Sequence, residues 1–284
     1  MNGRTVVQLT DTHIRPAGQS VHGVDTYANL THVLGQLLAA DQSIDALVLS
    51  GDLTDDGSPE AYRRLRDAVT PVAAELGATI LYVMGNHDER GAFAVELLGA
   101  DPATVRPEQT LDQVIDVGGL RIIALDSTTP GRHEGHLETA QLAWLTDELR
   151  RPAPRGTLLV LHHPPIASPL AATEYLRLQR PELLETAVAG TDIQMIICGH
   201  NHLTAAAAVA GIPVWLGPAL AYRIDPMPPA TRHRGLAGFG YSRIDLIGST
   251  VIATAIEATP ATALYDRPTD EVLAQLAALA GDGR

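Results

Sequence analysis

Short β-rich apolar runs alternate with longer amphipathic stretches from the start of the chain. Residues 5–10, 45–50 and 79–84 have the length and composition of strands, and residues 26–40 and 59–76 between them read as helices. In the second helix Tyr62, Leu65, Val69 and Val72 recur at three- and four-residue spacing, which makes one face apolar. Ser58-Pro59-Glu60 opens it with a capping residue followed by proline at the first helical position. Strand–helix–strand order predicts a parallel sheet covered by helices.

Further along, residues 114–117 and 120–126 flank Gly118-Gly119, a hairpin turn signal. A helix over 138–150 follows, with Leu142, Leu145 and Leu149 on one side, then a strand over 157–161, a helix over 173–189 and a strand over 193–198. Residues 203–209, 212–216, 242–247 and 251–256 read as short strands of a second sheet, and 269–280 as a terminal helix with 281–284 frayed. The Pro/Gly-rich stretch 217–240 is the longest irregular segment, a length that is usually functional or disordered. No linker divides the chain. The expectation is one α/β (α+β) domain over 1–284, with its core in 5–258, a tail with a short helix in 259–284, and two sheets with outer helices.

Composition narrows the classes. No apolar run approaches the roughly 18–20 residues of a membrane span, and no charged-then-apolar leader precedes the first strand, so no membrane partner is expected. The single cysteine, Cys198, excludes an intrachain disulfide and fits a cytoplasmic protein; it reads as a small buried hydrophobe. Twenty basic against 33 acidic residues give −13, which argues against binding duplex nucleic acid. A small anionic substrate stays compatible, because bound cations invert local charge.

The chemistry lies at five strand ends. Asp11-Thr12-His13, Gly51-Asp52, Gly85-Asn86-His87-Asp88, His162-His163-Pro164-Pro165 and Gly199-His200-Asn201-His202 each close an apolar run. Parallel strands deliver their C-terminal ends to one sheet edge, so ligands distant in sequence converge. Imidazole and carboxylate together suit borderline divalent ions. An extended Asp11-x-His13 would project both side chains to one side, and His200-x-His202 has the same spacing. Asp52 offers two oxygens for two ions, and Asn86 a neutral amide oxygen. Taken singly, Asp-x-His or Gly-Asp is most often a surface turn, and His-His-Pro-Pro a strand stopped by prolines. Five such ends in one chain are not explained that way.

In this order the motifs resemble the calcineurin-like metallophosphoesterase superfamily over roughly residues 5–258, closest to the class III cyclic nucleotide phosphodiesterases and the glycerophosphodiesterases. Gly23-Val24-Asp25, Ala61-Tyr62-Arg63 and Val83-Met84 add local similarity. The resemblance implies a four-layer αββα sandwich of two mixed sheets flanked by helices. It implies a dinuclear centre of divalent or trivalent ions, iron and manganese ahead of zinc and cobalt. Asp11, His13 and His202 would hold one ion, and Asn86, His162 and His200 the other, with Asp52 bridging. His87 would face the phosphoryl group, with Asp88 as the group that could orient it. One departure is Glu134, which stands where cyclic nucleotide members carry a histidine; His133 and His136 are the neighbouring substitutes.

The implied activity is hydrolysis of small phosphodiesters, cyclic nucleotides or glycerophosphodiesters, by a metal-bridging hydroxide, in a chain for which the resemblance also implies a homodimer. The alternatives are a phosphomonoesterase or nucleotide pyrophosphohydrolase with the same metals, and a non-catalytic scaffold, which the full ligand set opposes. His163 is expected to point away from the metals, with a supporting or substrate contact as the alternative. His22 and His32 are read as surface or helix residues. Asp126 is read as a strand-end turn or a support for the site. Tyr222, Arg223, Arg232, His233 and Arg234 are read as solvated loop, with contact to the non-phosphate part of the substrate as the alternative.

Overall fold

The computed structural model describes residues 3–281. Its elements are β1 (Arg4–Leu9), α1 (Thr26–Ala39), β2 (Ala46–Ser50), α2 (Pro59–Leu76), β3 (Thr79–Val83), α3 (Arg90–Glu96), β4 (Gln113–Val117), β5 (Leu120–Leu125), α4 (Thr139–Glu148), β6 (Thr157–Leu161), α5 (Ala171–Leu176), α6 (Pro181–Val188), β7 (Ile193–Cys198), β8 (Ala205–Val209), β9 (Ile212–Leu216), β10 (Arg223–Ile224), β11 (Gly235–Leu236), β12 (Gly240–Ile247), β13 (Thr250–Glu257) and α7 (Thr269–Gly281).

Two large sheets run β13-β12-β1-β2-β3 and β4-β5-β6-β7-β9-β8. β1, β2 and β3 are mutually parallel, as are β5, β6, β7 and β9, while β12, β13, β4 and β8 add antiparallel edges. The period-two alternation of the strands builds the layers. In β2, Ala46 and Val48 face the second sheet among Val6, Ile122, Leu158 and Ile197. Leu47 and Leu49 face the other way, against Leu30 and Val33 of α1 and Tyr62 and Leu65 of α2. On the far side Leu159 and Leu161 of β6 pack on Leu145 of α4 and Leu184 of α6. The result is a four-layer αββα sandwich.

Local signals explain the well-placed elements. Ser58 accepts from the Ala61 N–H at the start of α2, and Gly77 ends it in the left-handed region at φ 67°. Gly118 and Gly119, at φ 57° and 90°, both have the positive φ that a two-residue hairpin turn between β4 and β5 needs.

Other expectations are corrected. The helix read over 173–189 is two helices, α5 and α6, because Pro181 must start a helix rather than continue one, and Arg180 before it is left-handed at φ 53°. The four late strands do not form a sheet of their own. β8 and β9 extend the second sheet, whereas β12 and β13 return to β1. α3 and the small β10–β11 hairpin within 217–240 have no counterpart in the sequence reading. The frayed terminus read over 281–284 lies, after Gly281, outside the described residues. Among the described residues no helix is long and apolar enough to cross a membrane.

Candidate metal centre

The C-terminal ends of β1, β2 and β3 in one sheet and of β6 and β7 in the other open onto the same place. The ligand-bearing ends therefore converge from two facing sheets, not along one sheet edge as the sequence suggested. Backbone hydrogen bonds stitch the loops together: Asp11 N–H donates to Gly51 O (3.0 Å), His13 N–H to Asp52 O (2.9 Å), and Gly199 N–H to His162 O (3.1 Å).

Asp11, His13, Asp52, His200 and His202 all have positive φ, from 43° to 72°. The expected extended Asp11-x-His13 is thus not found. Each ligand instead sits on a left-handed kink, which costs on the order of 1 kcal/mol for a non-glycine residue and is characteristic of functional loops. The kinks turn successive side chains of each loop into one cluster.

The donors fall into two inner sets, with a third of His13, Asp55 and His87 toward the rim. Asp11, His13 and His202 bring one ligand atom each within 4.8 Å of one another, and so do Asp52, His162 and His200. His13 Nε2 and His202 Nε2 lie 3.1 Å apart, a separation suited to two nitrogens each about 2.0–2.1 Å from one ion. Asp52 lies between the sets, its Oδ2 3.3 Å from His162 Nε2 and 3.6 Å from His13 Nε2. Its Oδ1 accepts from the His87 backbone N–H at 2.9 Å.

The far nitrogens of three of the imidazoles are committed elsewhere. His162 Nδ1–H donates to Ser50 O (2.9 Å) and His202 Nδ1–H to Tyr222 O (2.8 Å), while His13 Nδ1 meets Asp55 Oδ1 at 3.1 Å. This turns the Nε2 of each of the three into the cluster. Among the described residues, His162 Nε2, both ring nitrogens of His200 and Asn86 Oδ1 are buried without a hydrogen-bond partner. Such orphans are rare and call for an ion or other group to complete them. These donor atoms fit a metal pair.

Electrostatics agree. Burial alone would pull the His162 imidazolium down, but Asp52 and Asp11 beside it push its pKa up to about 9. Burial favours protonation of Asp52, yet the imidazoles of His162, His13 and His87 hold its carboxyl well below the usual range. A buried cluster with two carboxylates attracts positive charge, supplied by protons or by metal cations. Burial pulls His202 down to about 4 and His200 well below the ordinary imidazole value, so both present lone pairs at neutral pH.

His87 lies at the rim, its ring 4.7 Å from that of His13 and edge-on to it. Its Nδ1–H donates to Asp55 O (3.1 Å), which turns Nε2 outward. Asp88 was expected as its orienting partner, but that carboxylate faces inward. It accepts from the Leu53, Thr54 and Gly85 N–H groups and from the Tyr62 hydroxyl. Burial and the neighbouring Asp52 raise Asp88 to about 6. Its place is structural, tying the Asp52 loop to the Asn86 loop. Asp55 takes the orienting position, touching His13, Arg15 and His87.

Around this cluster the remaining candidates separate. His163 is fully buried behind the site, with Nδ1 bonded to Ser127 Oγ (2.8 Å), Nε2 to His133 O (3.1 Å), and its ring 4.6 Å from that of His200. It anchors the 129–135 loop. Glu134 turns away to pair with Arg132, and of its neighbours His133 lies beside the cluster, its Nδ1 3.4 Å from Asn86 Nδ2. Asp126 is a loop support paired with buried Arg90 at 2.9 Å. Cys198 is buried, as expected. Asp55 was not read as a site residue, and Tyr222 was read as solvated loop or a substrate contact, not as the carbonyl that holds a ligand histidine. The Asp52-x-x-Asp55 spacing could have flagged the first, whereas a backbone carbonyl such as that of Tyr222 leaves no mark in a sequence.

An αββα sandwich with facing His/Asp/Asn loops between its sheets defines a metal-dependent phosphoric ester hydrolase. The chain belongs to the calcineurin-like phosphoesterase family, which matches residues 4–203 and is built on a dinuclear metal centre. It is 40% identical over 253 residues to a cAMP/cGMP dual specificity phosphodiesterase of Mycobacterium tuberculosis, covering 88% of this chain and 78% of that protein. It is 39% identical over 252 residues to a probable cyclic nucleotide phosphodiesterase of Rhodococcus erythropolis, covering 88% and 82%. A dimetal phosphatase from Danio rerio shares the fold, with a TM-score of 0.63 at 13% identity over 90% of this chain and 96% of that one.

Proposed function

We propose that the chain hydrolyses small phosphodiesters, with cyclic nucleotides as the leading class, at a dinuclear centre. Asp11, His13 and His202 would hold one ion and Asn86, His162 and His200 the other, with Asp52 as the carboxylate that would serve both. The observation that carries this reading is the set of buried, unpaired donor atoms on Asn86, His162 and His200 beside the Asp11/His13/His202 triad. The names of the relatives at 39–40% identity support cyclic nucleotides over other diesters.

When bound, two ions supply Lewis acidity toward phosphoryl oxygens and a water acidified enough to act as nucleophile near neutral pH. The chain's own residues do the rest. The Ser50 and Tyr222 carbonyls and Asp55 fix the tautomers of His162, His202 and His13. Asn86 turns its amide oxygen inward while its nitrogen donates to His133. His87, with Nε2 outward at the rim, gives a proton to the leaving oxygen, help typically worth roughly 10²–10⁴ in rate.

Two variants separate these roles. Asp52→Ala should lose metal and activity together, whereas His87→Ala should keep two ions per chain and lose about 10²-fold or more in turnover. Metal analysis of both purified proteins decides it, and a fully metallated, inactive Asp52→Ala protein would contradict the shared-ligand role. Turnover of bis(p-nitrophenyl) phosphate against p-nitrophenyl phosphate with Mn²⁺ distinguishes the diesterase from a monoesterase or pyrophosphohydrolase. A screen of cyclic nucleotides and glycerophosphodiesters then identifies the substrate.

A further inference from the structure

Beside the first donor triad a cavity of about 460 Å³ opens between the 22–24 turn and the β10–β11 hairpin. That volume lies within the roughly 300–1,000 Å³ of small-ligand pockets. Val24, Ile224 and Leu236 form its apolar walls, and His22, Tyr222 and His233 contribute aromatic faces with polar edges. None of the lining residues is Lys, Arg, Asp or Glu. Such a lining suits an uncharged, planar, hydrogen-bonding group and offers no carboxylate to a cationic one.

Tyr222 joins the cavity to the metal centre. Its ring tilts over that of His202 with centroids 4.4 Å apart and lies 6.4 Å from that of His13. His22 meets the same ring edge-on at 5.4 Å. The backbone is set as well, since Tyr222 O accepts from His202 Nδ1–H and Ile224 N–H donates to His202 O. A group in the cavity would therefore sit against the wall that carries one metal-facing histidine. The hairpin is braced from outside by the Asp225–Arg234 ion pair.

We propose that this cavity receives the heteroaromatic base of a nucleotide substrate, with Tyr222 as its stacking platform and the β10–β11 hairpin as its outer wall. The inference rests on the phosphodiesterase reading above and specifies its substrate as a nucleotide rather than a glycerophosphodiester.

The test uses the full Mn²⁺-loaded chain and two cavity-filling variants, Leu236→Trp and Ala237→Phe. Leu236 is 38% exposed, so the larger ring is tolerated by the fold. The first readout is the ratio of kcat/KM for 3′,5′-cyclic AMP to kcat/KM for methyl p-nitrophenyl phosphate, which has no base. Stacking on an aromatic platform predicts that the ratio falls at least about tenfold, mainly through KM for the cyclic nucleotide. An unchanged ratio in both variants overturns the proposal. The second readout is saturation-transfer NMR with adenosine, which carries base and ribose without phosphate. Adenosine should bind the unmodified chain and lose its signal in both variants; no binding, or equal binding to all three proteins, overturns the proposal. If the chain cleaves methyl p-nitrophenyl phosphate but no cyclic nucleotide, the substrate reading fails, and adenosine binding that is lost in the variants still upholds a base pocket.

Discussion

A ligand histidine is oriented when its far nitrogen is committed elsewhere, and for His13, His162 and His202 that commitment is made by groups outside the recognisable motifs. Asp55 is the most testable of them, because it holds His13 Nδ1 and also borders His87. Asp55→Asn should weaken metal retention or activity about 10- to 100-fold, read by metal titration and turnover together; full retention of both would remove Asp55 from the site. Cys198 gives an independent check on burial. Its thiol is fully buried and burial pushes its pKa far up, so it should not react with a disulfide reagent in the folded protein and should react fully in denaturant. The ligand identities were legible because Asp, His and Asn recur at the ends of apolar runs. The left-handed backbone at Asp11, His13, Asp52, His200 and His202 was not, since nothing in a single Asp or His fixes the sign of φ.

Glycine permits the close approach of one ligand loop to another. At Gly51, φ is +100° and an added Cβ would lie 2.2 Å from His162 Nδ1; at Gly77, φ is +67° and nothing lies within 4 Å. Gly51→Ala should cost about 2–3 kcal/mol and displace His162, whereas Gly77→Ala should cost about 1 kcal/mol and leave metal content unchanged. Thermal melts and metal analysis of the two variants check this, and equal effects would contradict it. Most strands and the first two helices were legible at this scale, because periodicity, Ser58-Pro59 and Gly118-Gly119 act locally. The break at Pro181 was hidden under an apolar pattern that continues across it. Sheet membership was also hidden: β8, β9, β12 and β13 look alike in sequence, and only long-range pairing sends two of them to each sheet.

Across the whole molecule, two facing sheets bring β1, β2 and β3 against β6 and β7, so the centre depends on both halves of the sandwich. The C-terminal segment contributes little to that core. Leu264, Tyr265 and Leu273 are 95%, 83% and 61% exposed. Removing residues 262–284 should leave the melting temperature within about 2 °C and the metal content unaltered, since the described positions 262–271 are all exposed and such positions contribute little; a large loss of either would reveal packing by the tail. The −13 charge makes metal cations the local attractor for an anionic substrate. Stepwise titration of the chelated protein with Mn²⁺, following bound metal and cyclic AMP hydrolysis in the same samples, tests for a catalytic pair of ions. Metal-free protein should be inactive, and turnover should appear as occupancy approaches two ions per chain. Hydrolysis without metal, or full turnover at one ion per chain, would contradict a catalytic pair.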